Sequence, residues 1–212
     1  MVIAIDGPAG AGKSTVARGA AEALGFTYLD SGAMYRAVAL AALERGVDLD
    51  DGEALGELAR GLRIELDGVV VRVDGDDVGE RIRTPEVSQA ASRVAPHPQV
   101  REALVRLQRE LIDSGRYVAE GRDIGTVVSP DAPLKIYLTA AESERARRRA
   151  AENGEPVDAV LAAMRERDRR DRGRAHGALR PAADSVELDT TGLGIDEVVS
   201  SVVGLARERG LT

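Results

Sequence analysis

The chain has 212 residues, 43% of them apolar, 31% charged and 2% aromatic, with a formal net charge of −7 and no cysteine. That is enough apolar chain to bury one real core, while the acidic balance argues against a general nucleic-acid or membrane binder and the scarcity of rings against single-strand stacking. Without cysteine there are no disulfides and no thiolate metal sites, which fits a reducing cytoplasm.

Residues 2–5 are an apolar run, too short for a signal peptide or a membrane span, and read as a strand. Gly7-Pro8-Ala9-Gly10-Ala11-Gly12-Lys13-Ser14-Thr15 follows and meets every fixed position of G-x-x-x-x-G-K-[ST] in its strand–loop–helix setting. Glycines let the backbone curl around a phosphate chain. The loop then delivers the anion to a helix N-terminus. Lys13 adds a point charge over the β and γ phosphates, and the Ser14 hydroxyl is placed to ligate Mg²⁺. Only two of the 29 basic residues are lysine, and one of those stands in this loop.

A helix is expected from Lys13 to Leu24, closed by Gly25, then a strand over 26–30 and a helix from Ser31 to about Arg45. A capped helix over 49–62 precedes a change of pattern: strands at 62–66 and 69–73 joined by Asp67-Gly68, with Asp74-Gly75 as a second turn. Thr84 and Pro85 open a helix that runs to about Val94. A long amphipathic helix spans 98–114, followed by core strands at 116–119 and 134–138. Two charged helices cover about 141–152 and 156–172, and a last strand and helix cover 185–189 and 194–209. Alternating strands and helices argue for an α/β fold with a parallel sheet and helices on both faces. The hairpin stretch, about 63–94, reads as an inserted lobe.

Three clusters carry chemistry. Asp30-Ser31-Gly32 and Glu120-Gly121-Arg122-Asp123 both end strands at the sheet edge where ligands bind in open α/β folds. In the run from Arg165 to Arg174, Arg167, Asp171 and Arg174 fall at i, i+4 and i+7, one helical stripe. Beside a phosphate loop, such arginines suit a lid that neutralises charge during transfer. No Walker-B-type aspartate is evident; Asp30 is the candidate by position. His97 and His176 are not expected to be catalytic.

Taken together these segments resemble the bacterial cytidylate kinases of the nucleoside monophosphate kinase family. The resemblance rests on Ile5 to Thr15, Leu29-Asp30-Ser31-Gly32-Ala33-Met34-Tyr35-Arg36, Ile82-Arg83-Thr84, Ala91 to Ala95, Val100 to Leu104, Gly121-Arg122-Asp123-Ile124-Gly125-Thr126 and Arg167 to Arg174. It implies a P-loop kinase fold with a five-stranded sheet. One domain, 1–212, would consist of a core (about 1–62, 95–150 and 175–212), an acceptor lobe (63–94) and a lid (151–174). It implies phosphoryl transfer from ATP, with Mg²⁺, to CMP or dCMP. Lys13, Arg122, Arg167 and Arg174 would be catalytic. Arg36 and Arg122 would hold the acceptor phosphate, with Ser31 near it. Ser92, Arg101 and Asp123 would read the cytosine edge, and Arg167 and Asp171 would approach the acceptor's phosphate and sugar, with Arg167 and Arg174 moving in with the lid. A cytoplasmic monomer with no nucleic-acid or membrane partner is expected.

Three other readings compete, one of them an inactive nucleotide-binding module, against which the intact Lys13, Ser14 and arginines argue. A sugar-acid or shikimate kinase would share the phosphate loop without requiring Ser92, Arg101 and Asp123 together. A GTP-dependent switch would need an Asn-Lys-x-Asp element, and the only asparagine, Asn153, precedes Gly154.

Overall fold

The computed structural model of the protein describes the backbone of residues 1–212 and every side chain except that of Asn153. In chain order the elements are β1 (Val2–Asp6), α1 (Lys13–Leu24), β2 (Thr27–Asp30), α2 (Ser31–Arg45), α3 (Gly52–Gly61), β3 (Ile64–Asp67), β4 (Val70–Val73), β5 (Asp76–Asp77), α4 (Pro85–Val94), α5 (Pro98–Asp113), β6 (Tyr117–Gly121), β7 (Leu134–Thr139), α6 (Glu142–Asn153), α7 (Val157–Arg172), β8 (Val186–Asp189) and α8 (Ile195–Glu208). A 3₁₀ turn at Arg81–Arg83 precedes α4, and a π-helical turn, Ile124–Val128, follows β6. The chain divides into two compact units, one made of Met1–Tyr28 and Gly115–Thr212, the other of Leu29–Ser114.

The first unit is built on a five-stranded sheet with the order β2-β6-β1-β7-β8. β1 runs parallel to β6 and β7, with Ile5 beside Glu120 and Ile136, and β7 runs parallel to β8. A strand with neighbours on both edges and helices on both faces has no wet side, which is why all five residues of β1 are buried. Ile3, Ile5, Val16, Val118, Ile136, Val202 and Val203 pack in one apolar cluster. Aliphatic side chains and alanine make up most of it, with Phe26 and Tyr28 the two rings.

The second unit has its own cluster, joining Met34, Val38, Leu55, Val73, Ile82, Val94 and Leu104. Its sheet is a three-stranded antiparallel meander, β3-β4-β5. The hairpin pairs Ile64 with Val73 and Asp67 with Val70, so its two-residue turn is Gly68-Val69, one residue later than the expected Asp67-Gly68, with Gly68 taking the left-handed φ of 58°. The third strand is only two residues long and both are aspartate. Strand propensity is low there, and the pairing across Asp74-Gly75 makes the strand. Thr84 caps α4 as expected, accepting from the Val87 N–H at 3.3 Å, with Pro85 at the first helical position.

Candidate active site

The phosphate loop connects β1 to α1. Gly7 has φ 155°, and a Cβ there would lie 2.1 Å from the Leu138 carbonyl oxygen on β7. Only glycine lets the loop leave the sheet at this point. α1 begins at Lys13, and its N-cap, Gly12, offers no side chain. The first-turn N–H groups of α1 therefore keep their capacity for an anion.

Lys13 is buried and its Nζ donates to the Pro8 carbonyl at 2.9 Å. Burial, then the nearby Arg122 guanidinium, pull its ammonium down to about 7, with Glu120 acting in the opposite sense. A polyanion placed here would restore the full charge. Ser14 is half-buried and Thr15 exposed on the same turn.

At the C-terminal end of β6 the chain turns through Arg122 and Asp123 into the π-helical turn, in which the Ser129 N–H reaches back to the Ile124 carbonyl at 2.7 Å. Asp6, at the end of β1, holds this corner. Its two carboxylate oxygens accept from the N–H groups of Ile124 and Gly125 at 2.9 and 2.8 Å. Burial pushes the Asp6 carboxyl up to about 6 even against those two hydrogen bonds. Such turns recur at functional sites, and here one aims Arg122 and Asp123.

Arg122 Nε donates to Asp171 Oδ2 at 2.9 Å. Arg174 donates to the other oxygen of the same carboxylate, and Arg167 Nε lies 4.0 Å from it. Three guanidinium groups thus converge on one carboxylate that is itself buried. Burial alone would raise the Asp171 carboxyl; Arg122, Arg174 and Arg167 outweigh it and hold it below the usual range. For Arg122, burial would lower the guanidinium and the Asp171 charge and hydrogen bond raise it. The stripe expected from the sequence is present, with one difference. α7 ends at Arg172, so Arg174 stands two residues past the helix and reaches Asp171 from the turn after Gly173.

In the first unit, then, Lys13, Arg122, Asp123, Arg167, Asp171 and Arg174 come together beside the phosphate loop. In the second, Ser31 opens α2 and is buried. Arg36 Nη2 donates to Asp30 Oδ2 at 2.7 Å, while its Nε is buried with no hydrogen-bond partner. Arg101 is buried on α5 and its Nη1 donates to Tyr35 Oη at 3.4 Å. Ser92, on α4, is 2% exposed and its hydroxyl has no partner. His97 is fixed by a 2.9 Å contact between Nε2 and the Leu49 carbonyl, in keeping with a structural role.

Asp30, the candidate by position for a Walker-B-type role, has local partners of its own. Asp30 is the N-cap of α2, accepting from the Ala33 N–H at 2.9 Å, and it also binds Arg36. Each of its oxygens thus accepts one local hydrogen bond. Glu120 is the carboxylate that sequence reasoning missed. It is buried in β6 next to Lys13 and accepts from Tyr28 Oη at 2.6 Å. Its signal was its place at the end of a core strand, adjacent in the sheet to the strand that feeds the loop. Among the described residues no cluster of three or more His, Asp or Glu side chains could hold a metal unaided. No described helix is long and apolar enough to cross a membrane.

A parallel sheet that feeds a phosphate loop into a helix, with arginines gathered at the same edge, defines a P-loop kinase fold. A gluconokinase structure from Sinorhizobium meliloti shares that fold, with a TM-score of 0.55 at 17% identity, covering 99% of this chain and 93% of that one. The cytidylate kinase family model matches residues 3–208. Proteins named cytidylate kinase from Pelotomaculum thermopropionicum and Solibacter usitatus are 53% and 49% identical, over 95% and 99% of this chain and 93% of each relative. The chain belongs to the cytidylate kinase family.

Proposed function

We infer that the protein transfers the γ-phosphoryl group of ATP to CMP or dCMP, giving ADP and CDP or dCDP. Family membership sets the reaction. The observation that carries the acceptor assignment is a pair of unsatisfied polar atoms in the second unit, the Ser92 hydroxyl and Arg36 Nε. Buried polar groups are almost always paired, so an orphan calls for a partner, and a bound ligand is one that would serve both atoms. An acceptor's base and phosphate supply hydrogen-bonding groups of the kinds these atoms lack.

In this reading Gly7, Pro8, Ala9, Gly10, Ala11, Gly12, Lys13, Ser14 and Thr15 cradle the donor phosphates. Arg36 and Arg122 hold the acceptor phosphate, with Ser31 beside it. An oxygen of that phosphate attacks the γ-phosphorus in line, and the bond to the ADP oxygen breaks. The attacking oxygen is already ionised, so no general base is required. Lys13, Arg122, Arg167 and Arg174 spread the charge that passes between the nucleotides. Mg²⁺ neutralises phosphate charge when bound. Lacking an all-protein cage, it would rely on phosphate oxygens and water, with the Ser14 hydroxyl and the Glu120 carboxylate nearby.

Asp123, with Ser92 and Arg101, reads the cytosine edge: a carboxylate accepts from the amino group of cytosine and meets only another acceptor in uracil. The mismatch costs on the order of 1–3 kcal/mol, enough for preference rather than exclusion. Asp171 faces the sugar and phosphate. Residues 63–94 form the acceptor lobe and 151–174 the lid, in a cytoplasmic monomer without nucleic-acid or membrane partners.

The test is ADP release with ATP and Mg²⁺ against CMP, dCMP, UMP, AMP and GMP. Strong turnover of CMP and dCMP, weak turnover of UMP and none of the purines is expected. Arg122→Ala should lower kcat/KM for CMP by at least about a hundredfold. Unchanged CMP phosphorylation in that variant would remove Arg122 from the site. No cytidylate turnover by the parent protein would overturn the acceptor assignment.

A further inference from the structure

Two residues that the sequence reading passed over clasp the phosphate loop. Arg145 on α6 and Asp168 on α7 are each 3% exposed, and Arg145 Nη1 donates to Asp168 Oδ2 at 2.7 Å. The same Nη1 donates to the Ala9 carbonyl at 2.8 Å, and Arg145 Nε donates to the Ala140 carbonyl at 3.1 Å. The Ala9 N–H in turn donates to Asp168 Oδ1 at 3.3 Å. The ion pair therefore grips the N–H and the C=O of one loop residue, from two helices at once.

Apolar packing surrounds the clasp. Ala9 packs against the cluster of Ala146, Ala150, Val160 and Met164. A Cβ on Gly10 would lie 2.9 Å from Met164 Cε and 3.0 Å from the Arg145 carbonyl. The next residue of the loop is thus also shaped by α6 and α7.

A fully buried ion pair contributes little net stability compared with well-packed apolar side chains, because desolvation offsets the Coulomb gain. What this pair holds is more informative. A loop with glycine at positions 7, 10 and 12 has high conformational entropy, and a phosphate site binds well only if its N–H groups are in place beforehand. We propose that Arg145 and Asp168 are positioning residues for the donor nucleotide, locking the Ala9 backbone so that the phosphate loop is preorganised. The inference rests on the reading of residues 7–15 as the donor cradle.

The test is ADP binding by calorimetry in the absence of any acceptor, so acceptor identity does not enter. Replacing the pair together, Arg145→Met with Asp168→Leu, removes the clasp and leaves an apolar contact that is often neutral or stabilising for the fold. Because the Ala9 N–H and the Ala9 and Ala140 carbonyls lose their side-chain partners, the double variant should melt somewhat lower than the parent. Measured well below its midpoint, it should bind ADP about tenfold or more weakly. Its KM for ATP should rise far more than its KM for CMP. Arg145→Lys keeps the buried charge but not the forked donor geometry. It should lose ADP affinity in the same direction, which covers the case in which the double variant fails to fold. ADP affinity equal to the parent's in either folded variant overturns the inference. A parent protein that binds no ADP would overturn the donor-cradle reading itself, and this inference with it.

Discussion

Asp6 shows how one buried carboxylate sets local geometry at a cost. It anchors the N–H groups of Ile124 and Gly125 and so orients the Arg122-Asp123 corner, yet it has almost no water around it. Its carboxyl moves from 3.8 to about 6, with burial the leading cause. Between those values the folded protein holds a proton that the unfolded chain has already lost. Stability from this group is therefore highest below about pH 4, falls as pH rises toward 6, and is then level. The full swing is about 3 kcal/mol at most. Urea unfolding of the parent and of Asp6→Asn between pH 4 and 7 isolates it. The parent's stability relative to the variant should fall across pH 4 to 6, on top of a constant offset from the amide facing an N–H donor. A difference that does not vary with pH would mean that Asp6 stays ionised in the folded state.

At the scale of elements, α4 shows a short sequence signal placing a side chain proposed for the acceptor site. Thr84 accepts from the Val87 N–H and Pro85 starts the helix, which sets the phase that buries Val87, Ala91 and Ser92. Thr84→Ala should lower unfolding stability by about 1 kcal/mol. Because α4 carries Ser92, it should also raise KM for CMP while leaving KM for ATP unchanged. Steady-state kinetics with each substrate varied in turn, beside denaturant melts, checks both; equal changes in the two KM values would detach α4 from the acceptor. Signals of this local kind made most of the fold legible. Gly25 and Gly46 end α1 and α2 in left-handed conformations, and the second hairpin turns at Asp74-Gly75, where expected. What was not legible depends on pairing over long distances. The π-helical turn is tied to Asp6, far away in the chain, which accepts from its first N–H groups. The candidate site divides in the same way. The loop and the Arg167–Asp171 stripe follow from spacing, whereas the meeting of Glu120 with Lys13 and the Arg145–Asp168 contacts on Ala9 follow only from where β6, α6 and α7 come to rest.

For the whole molecule, the two units differ in what they contain. The five-stranded sheet, the phosphate loop, the clasp and the Asp171 cluster belong to the unit made of Met1–Tyr28 and Gly115–Thr212, apart from the end of β2. Its apolar cluster draws every member from that unit, and the cluster around Met34 and Leu104 draws every member from the other. The chain ends left by removing Leu29–Ser114 are close together, because the Thr27 N–H donates to the Arg116 carbonyl at 2.8 Å. A short Gly/Ser linker spans neighbouring strands, which lie about 4.8 Å apart. The excised protein should therefore fold, shown by far-UV circular dichroism and a cooperative melt, and should bind ADP. It should not phosphorylate CMP, since Ser31, Arg36, Ser92 and Arg101 are gone. Folding with ADP bound and no CMP turnover would assign donor and acceptor recognition to separate cores. A chain that fails to fold would mean that the sheet's stability depends on Leu29–Ser114, and CMP turnover by the excised chain would mean that none of those four residues is needed for the acceptor.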